Sequence, residues 1–355
     1  MKGNGYTMRR RQLVRRPSPL LCEGVADECV ADNDRCVLVK WSCIYANPGQ
    51  EGSESPLSEI DGGSYIHAVA FAANGEYVVG GGGDDVGVWR VEDGKQIATL
   101  ALAAGPTVYC VAVSKDGRWI AAGTNNGVVI MWDAKTFEKV FSHKEGNSVN
   151  VTFGVDFSPD STRLMASHSH TATVWDVATR KKVQILDHEN FVVASKYSPQ
   201  GDRIATANHE SVRVWDVGGR LLVDIPVRVT PQCNKGLLWS NNHLFVVSDG
   251  TIKEFEASTG STVSEWLVPH ASYGSCIALP KHGKFIAYST NDTVAFWDTS
   301  THAPLGLIQH PQSIYSIALS TDNQFLATGG QGGEITIRSL SRIIVGAMFL
   351  GLWRI

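Results

Sequence analysis

Four cysteines, Cys22, Cys29, Cys36 and Cys43, recur every seven residues near the N-terminus, and four thiolates can hold a zinc ion. Structural zinc sites open with a tighter first pair, about two to four residues apart. The even spacing therefore speaks for a segment without metal. His168, His170 and His209 fall in connections between strands, where imidazoles could bind a metal or act as general bases. The sequence carries no HExxH, GxSxG, P-loop or GxGxxG pattern to organise such chemistry. The glycine runs 80–83 and 329–333 end strands rather than open a helix onto a phosphate. The expectation is loop polarity at the histidines, with no catalytic residue, no metal and no cofactor.

The elements that would position these residues repeat. Trp132-Asp133, Trp175-Asp176, Trp215-Asp216 and Trp297-Asp298 each close a short β-branched or aromatic run. Trp89, Phe255 and Arg338 occupy the same place in three further runs, and the seven anchors are 40 to 43 residues apart. A second series keeps the same period: Asn74-Gly75, Asp116-Gly117, Asp160-Ser161, Gln200-Gly201, Asn241-Asn242, His282-Gly283 and Asp322-Asn323. Such pairs tolerate left-handed backbone and suit hairpin turns. Each repeat reads as four short strands, several apolar on both faces, as in Trp119 to Ala122. That pattern predicts sheets stacked radially, each covered on both sides.

With its Trp-Asp pairs and the run VDFSPD at 155–160, the sequence resembles the WD40-repeat family across about 65–340. The resemblance implies an all-β, seven-bladed propeller, with the Trp packed between blades and the following Asp accepting hydrogen bonds from the next turn. Thr136, Thr179, Gly219 and Thr301 stand where those turns would lie. The sequence departs from the family at its buried polar network. His143, His188, His270 and His310 do not follow glycine, and Asp249 alone is an Asp six residues before its anchor. Apolar packing is expected to carry most of the stability.

Apolar residues make up 43% of the chain and charged residues 19%, enough to bury a large core. The net charge of −4 gives no global field toward nucleic acid, so none is expected as a partner. Seven cysteines and no visible secretory signal fit reduced thiols in the cytoplasm, with the nucleus an alternative. Cys110, Cys233 and Cys276 read as core residues. Residues 1–45 form an extension, Arg-rich (MRRRQLVRRP) then acidic, that reads as disordered; 46–64 reads as a flexible linker, 65–342 as the propeller and 343–355 as an apolar tail. The apolar run of that tail is shorter than the about twenty residues of a spanning helix, so no membrane is expected. It could supply the fourth strand of the last blade, with Cys36 to Trp41 as the rival.

The reading that follows is a non-catalytic scaffold for other proteins. Its alternatives are a propeller hydrolase with an axial metal and an adaptor tethered through the C-terminal tail. Aligned near the starts of the innermost strands stand His67, Tyr109, Phe153, Val193, Lys235, Ser275 and Tyr315. If the ring closes, Tyr315, His67, Tyr109 and Phe153 become neighbours. The resemblance implies that they, with Lys235, line the mouth of the central channel, where partners dock; the competing reading is packing between blades.

Overall fold

The computed structural model describes residues 27–32, 35–40, 55–102, 105–144, 150–229, 236–268, 276–280 and 283–344. Residues 1–50 form one unit, in which Asp27–Asp32 pairs antiparallel with Arg35–Lys40. The candidate closing strand near Cys36 is therefore paired locally. Residues 51–355 form the second unit, which holds seven four-stranded antiparallel sheets.

The seven innermost strands are Ala68–Phe71, Val108–Val113, Thr152–Phe157, Ala194–Tyr197, Leu237–Ser240, Cys276–Ala278 and Ile314–Leu319. Each touches the next, and the last returns to the first, so the sheets are the blades of a closed seven-bladed propeller. We call the end of the ring where these strands begin the upper end.

Ring closure departs from the sequence reading. The fourth strand of the seventh blade is Ser58–Asp61, paired with Glu334–Ser339 through Ser58↔Ile337 and Ile60↔Ile335. These residues lie inside 46–64, assigned above to a linker, so the propeller begins before residue 65. Ile60 is 2% exposed, and its burial is what recruits a short polar stretch into the sheet. The C-terminal tail does not take this edge. Chain beyond Ser339 makes a helical turn, Leu340–Ile343, whose Leu340 is buried, while residues 345–355 lie outside the described residues.

The core is a series of interfaces between blades. The anchors Trp89, Trp132, Trp175, Trp215, Phe255 and Trp297 are all buried. The fourth strands bury one residue near their ends, such as Leu100, Leu186, Ile225, Trp266 and Ile308, and leave the rest wetter. Polar ties join blades as well: Val69 N–H donates to Ser316 Oγ at 2.9 Å, and Tyr197 N–H donates to Asp156 Oδ2 at 3.0 Å.

Both turn series take left-handed backbone. Gly75, Gly117, Ser161, Gly201, Asn241, Gly283 and Asn323 have positive φ in the first series. In the second, Asp133 Oδ1 accepts from Lys135 and Thr136 N–H, Asp176 Oδ1 from Thr179 N–H and Oγ1, and Asp298 Oδ1 from Ser300 and Thr301. Asp216 Oδ1 accepts from Gly218 and Arg220 N–H, not from Gly219. These bonds hold the carboxyls of Asp133, Asp176 and Asp216 below the ordinary Asp range. At Asp298 burial opposes the shift, yet the Ser300 and Thr301 bonds prevail in the same direction.

Candidate protein-interaction surface

The strand starts at the upper end are irregular for a local reason. Register shifts by one residue between Val108 and Cys110, between Thr152 and Gly154, and between Ile314 and Ser316. Tyr109, Phe153 and Tyr315 are the extra residues of these bulges, and a bulge turns its residue away from the regular alternation of faces. His67 precedes Ala68 in the first blade, its N–H held by Gly81 C=O at 2.9 Å.

The result is a stack of three rings from three blades. The His67 ring lies between Tyr109, at 5.1 Å between centroids and 22° between planes, and Tyr315, at 5.4 Å and 16°. Tyr109 is 40% exposed, while His67 and Tyr315 are half-buried. Burial pushes the His67 imidazole below its ordinary pKa, so it stacks as a neutral ring at pH 7. Packing between blades and presentation at the surface, posed above as competing readings, thus coexist in one array.

The other aligned positions differ. Half-buried Phe153 occupies its bulge without joining the stack. Val193 is buried in an apolar cluster with Ala194 and Val212, so it presents nothing to the mouth. Lys235 and Ser275 lie outside the described residues. Sequence alignment of strand starts missed Tyr65, which is 55% exposed two residues before His67, because it stands in a loop outside the repeat pattern. It also missed Phe191, exposed beside His170 at 4.9 Å.

His168, one of the histidines that suggested chemistry, is engaged in packing. His168 is fully buried, with Nε2 at 3.3 Å from Thr173 Oγ1 and its ring against Trp175. Cys110 and Cys276 are buried, donating from Sγ to Thr152 C=O at 3.4 Å and Tyr315 C=O at 3.2 Å, and Cys233 lies outside the described residues. Asp156 binds the Tyr197 N–H, and its Oδ1 pairs with Lys196 Nζ at 3.3 Å. Among the described residues no group of three or more His, Cys, Asp or Glu could hold a metal ion. The side chains of the seven-residue cysteine series lie outside the described residues. No described helix is long and apolar enough to cross a membrane.

Comparisons with known proteins agree with this architecture. The family pattern described as WD domain, G-beta repeat matches residues 94–133, 136–176, 180–216 and 304–338. Among curated relatives, protein groucho of Drosophila melanogaster is 24% identical over 42% of this chain and 21% of its own length. The U3 small nucleolar RNA-associated protein 15 homolog of Xenopus laevis is 26% identical over 65% of this chain and 46% of its own length. Small ribosomal subunit protein RACK1z of Arabidopsis thaliana reaches 39% identity over 23% of this chain and 25% of its own. The chain thus spans less than half the length of these relatives. A solved chain from a mitotic checkpoint complex superposes with a TM-score of 0.69 at 19% identity, covering 81% of this chain and 94% of its own.

Proposed function

The chain is a divergent WD40-repeat β-propeller, and from that premise we propose that it works as a non-catalytic platform that binds other proteins at the upper mouth of its ring. The observation that carries this reading is the ring stack of Tyr315, His67 and Tyr109, which assembles aromatic surface from three blades at one place. Aromatic side chains with few rotatable bonds give large contact area at low entropy cost, and Tyr is enriched at binding hot spots. The stack is already ordered by packing, so a partner meets a preformed surface.

A hydrolase reading would need carboxylates or imidazoles converging on the axis. Asp156, the acidic residue of the innermost strands, is instead committed to Tyr197 and Lys196.

The test uses the full chain. A partner recovered by proximity labelling should bind the Tyr109→Ser, Tyr315→Ser double variant more weakly by about 2 kcal/mol or more. Unchanged affinity, with circular dichroism showing the fold intact, would leave the stack as packing alone.

A further inference from the structure

The sector around the ring stack has a charge distribution that the fold itself does not explain. Its described upper loops include 62–67, 82–84, 105–107, 125–127, 310–313 and 331–333, and none of these contains lysine or arginine. At their edges stand Asp61, Asp84, Asp85 and Glu334; on the second blade Lys144, paired opposite Val128, is the basic residue at the equivalent edge. Among the described residues none of these four carboxylates forms an ion pair. Asp61 Oδ1 accepts from Gly63 N–H, a local turn bond.

Two of the arrangements work against folding. Asp61 and Glu334 are direct cross-strand partners where the closing strand meets the seventh blade. Like charges directly opposite one another destabilise an antiparallel pair. Asp84 and Asp85 are adjacent; burial, and then the Asp84 charge, hold the Asp85 carboxyl above its ordinary pKa. Blades one and two show a different pattern at their lower end, where charges of both signs mix and Arg90 pairs with Asp93 at 2.9 Å.

Backbone bonds tie the segments that hold these carboxylates to those that carry the aromatic rings. Val108 N–H donates to Gly83 C=O and Leu102 N–H to Asp84 C=O, which ties the Asp84 loop to the strand that carries Tyr109. A Cβ on Gly82 would sit 1.4 Å from Tyr65 C=O, so only glycine permits this approach to the loop holding Tyr65 and His67. On the other flank Gly62 N–H donates to Gly333 C=O, next to Glu334.

We infer that the segment this mouth receives is a basic peptide, with arginine preferred over lysine. The inference rests on the mouth being the binding surface. A guanidinium can lie on a tyrosine face while its N–H groups bind a carboxylate in bidentate fashion, and an ammonium lacks that planar fork. Basic residues of such a peptide, one at each flank, would relieve the repulsion between Asp61 and Glu334 and between Asp84 and Asp85.

Fluorescein-labelled peptides of equal length, alternating glycine with arginine, lysine or glutamate, are titrated against the full chain. The arginine peptide should bind best, more weakly as salt rises, and the glutamate peptide should not bind. Asp84→Asn with Glu334→Gln should weaken the arginine peptide by about fivefold or more, while Asp249→Asn with Asp292→Asn, on other blades, should change it by less than about twofold. Glu334→Gln should also raise the thermal midpoint, since it removes a like-charge pair. Equal binding of the arginine and glutamate peptides, or equal losses in the two double variants, would overturn the inference. So would a natural partner that is lost with Tyr109→Ser, Tyr315→Ser yet indifferent to Asp84→Asn, Glu334→Gln; that result leaves the mouth standing. A partner indifferent to both pairs overturns the mouth as well.

Discussion

The fourth and seventh blades use the same two positions, the anchor and a histidine, in opposite ways. In the fourth, buried Trp215 donates from Nε1 to Thr206 Oγ1 at 2.7 Å, and the His188 ring meets the indole edge-on at 5.5 Å. Asn208 lies 3.5 Å from His188 Nδ1 and caps its loop by accepting from Glu210 and Ser211 N–H. In the seventh, Arg338 takes the indole's place opposite Leu326, as Trp215 lies opposite Ile204. Its Nη1 donates to Thr336 Oγ1 at 3.1 Å, but its Nε is buried with no hydrogen-bond partner. His310 faces this cation, and burial followed by the Arg338 charge pushes its imidazole below the ordinary range. Burial pushes the Arg338 guanidinium down too, against the attraction of Glu59 on the closing strand. One blade gains packing and a satisfied donor; the other holds a poorly solvated cation at the seam of the ring.

The largest test of this difference is truncation of each anchor. Trp215→Ala should cost about 3–5 kcal/mol, the range for large aromatic residues in cores. Arg338→Ala should cost less than about 2 kcal/mol, because a partly satisfied buried charge contributes little net stability. Urea unfolding of both variants gives the two values. Equal losses would show that the seventh blade is as firmly built as the fourth.

Next comes pH. Burial, then the Arg213 charge, lower the His188 imidazole to about 4 from an ordinary value of 6.5. A base with a depressed folded pKa leaves the unfolded chain holding more protons. Its contribution is therefore complete above about pH 6.5 and is lost as pH falls toward 4, by at most about 3 kcal/mol. His188→Gln should flatten the stability profile across that window. An unchanged slope would mean that other groups carry it, with His310 and His67 shifted in the same direction.

The smallest effect separates turns with and without the Asp–Thr bonds. Phe137, Arg180 and His302 hold φ near +60° in the turns bonded by Asp133, Asp176 and Asp298. Gly94, Gly219 and Gly260 take left-handed backbone in the corresponding turns of the first, fourth and fifth blades. Arg180→Gly should stabilise by about 1 kcal/mol or less, the left-handed strain offset by added freedom in the unfolded chain. Gly260→Ala should destabilise, since its Cβ would also meet Val223 at 2.8 Å. Differential scanning calorimetry of the two variants reads both signs.

What the sequence by itself determined is everything that repeats within one blade. The anchor spacing, the turn pairs and the Asp after four of the five Trp anchors depend on neighbours a few residues away, so they are visible as a period of about 40 residues. The alignment of Tyr315, His67 and Tyr109 was legible in the same way, as equivalent positions in three repeats. Only the tertiary structure decided that Ser58–Asp61 closes the seventh blade, because its partner strand Glu334–Ser339 lies at the far end of the chain. The same closure set Asp61 against Glu334 and brought Glu59 within reach of the Arg338 charge. Bulges at Tyr109 and Tyr315 then brought their rings onto His67, a geometry set by register between strands. Short-range order is written in residue type and spacing; pairing across the ring depends on burial of a few apolar side chains such as Ile60, whose worth exists only once the ring is closed.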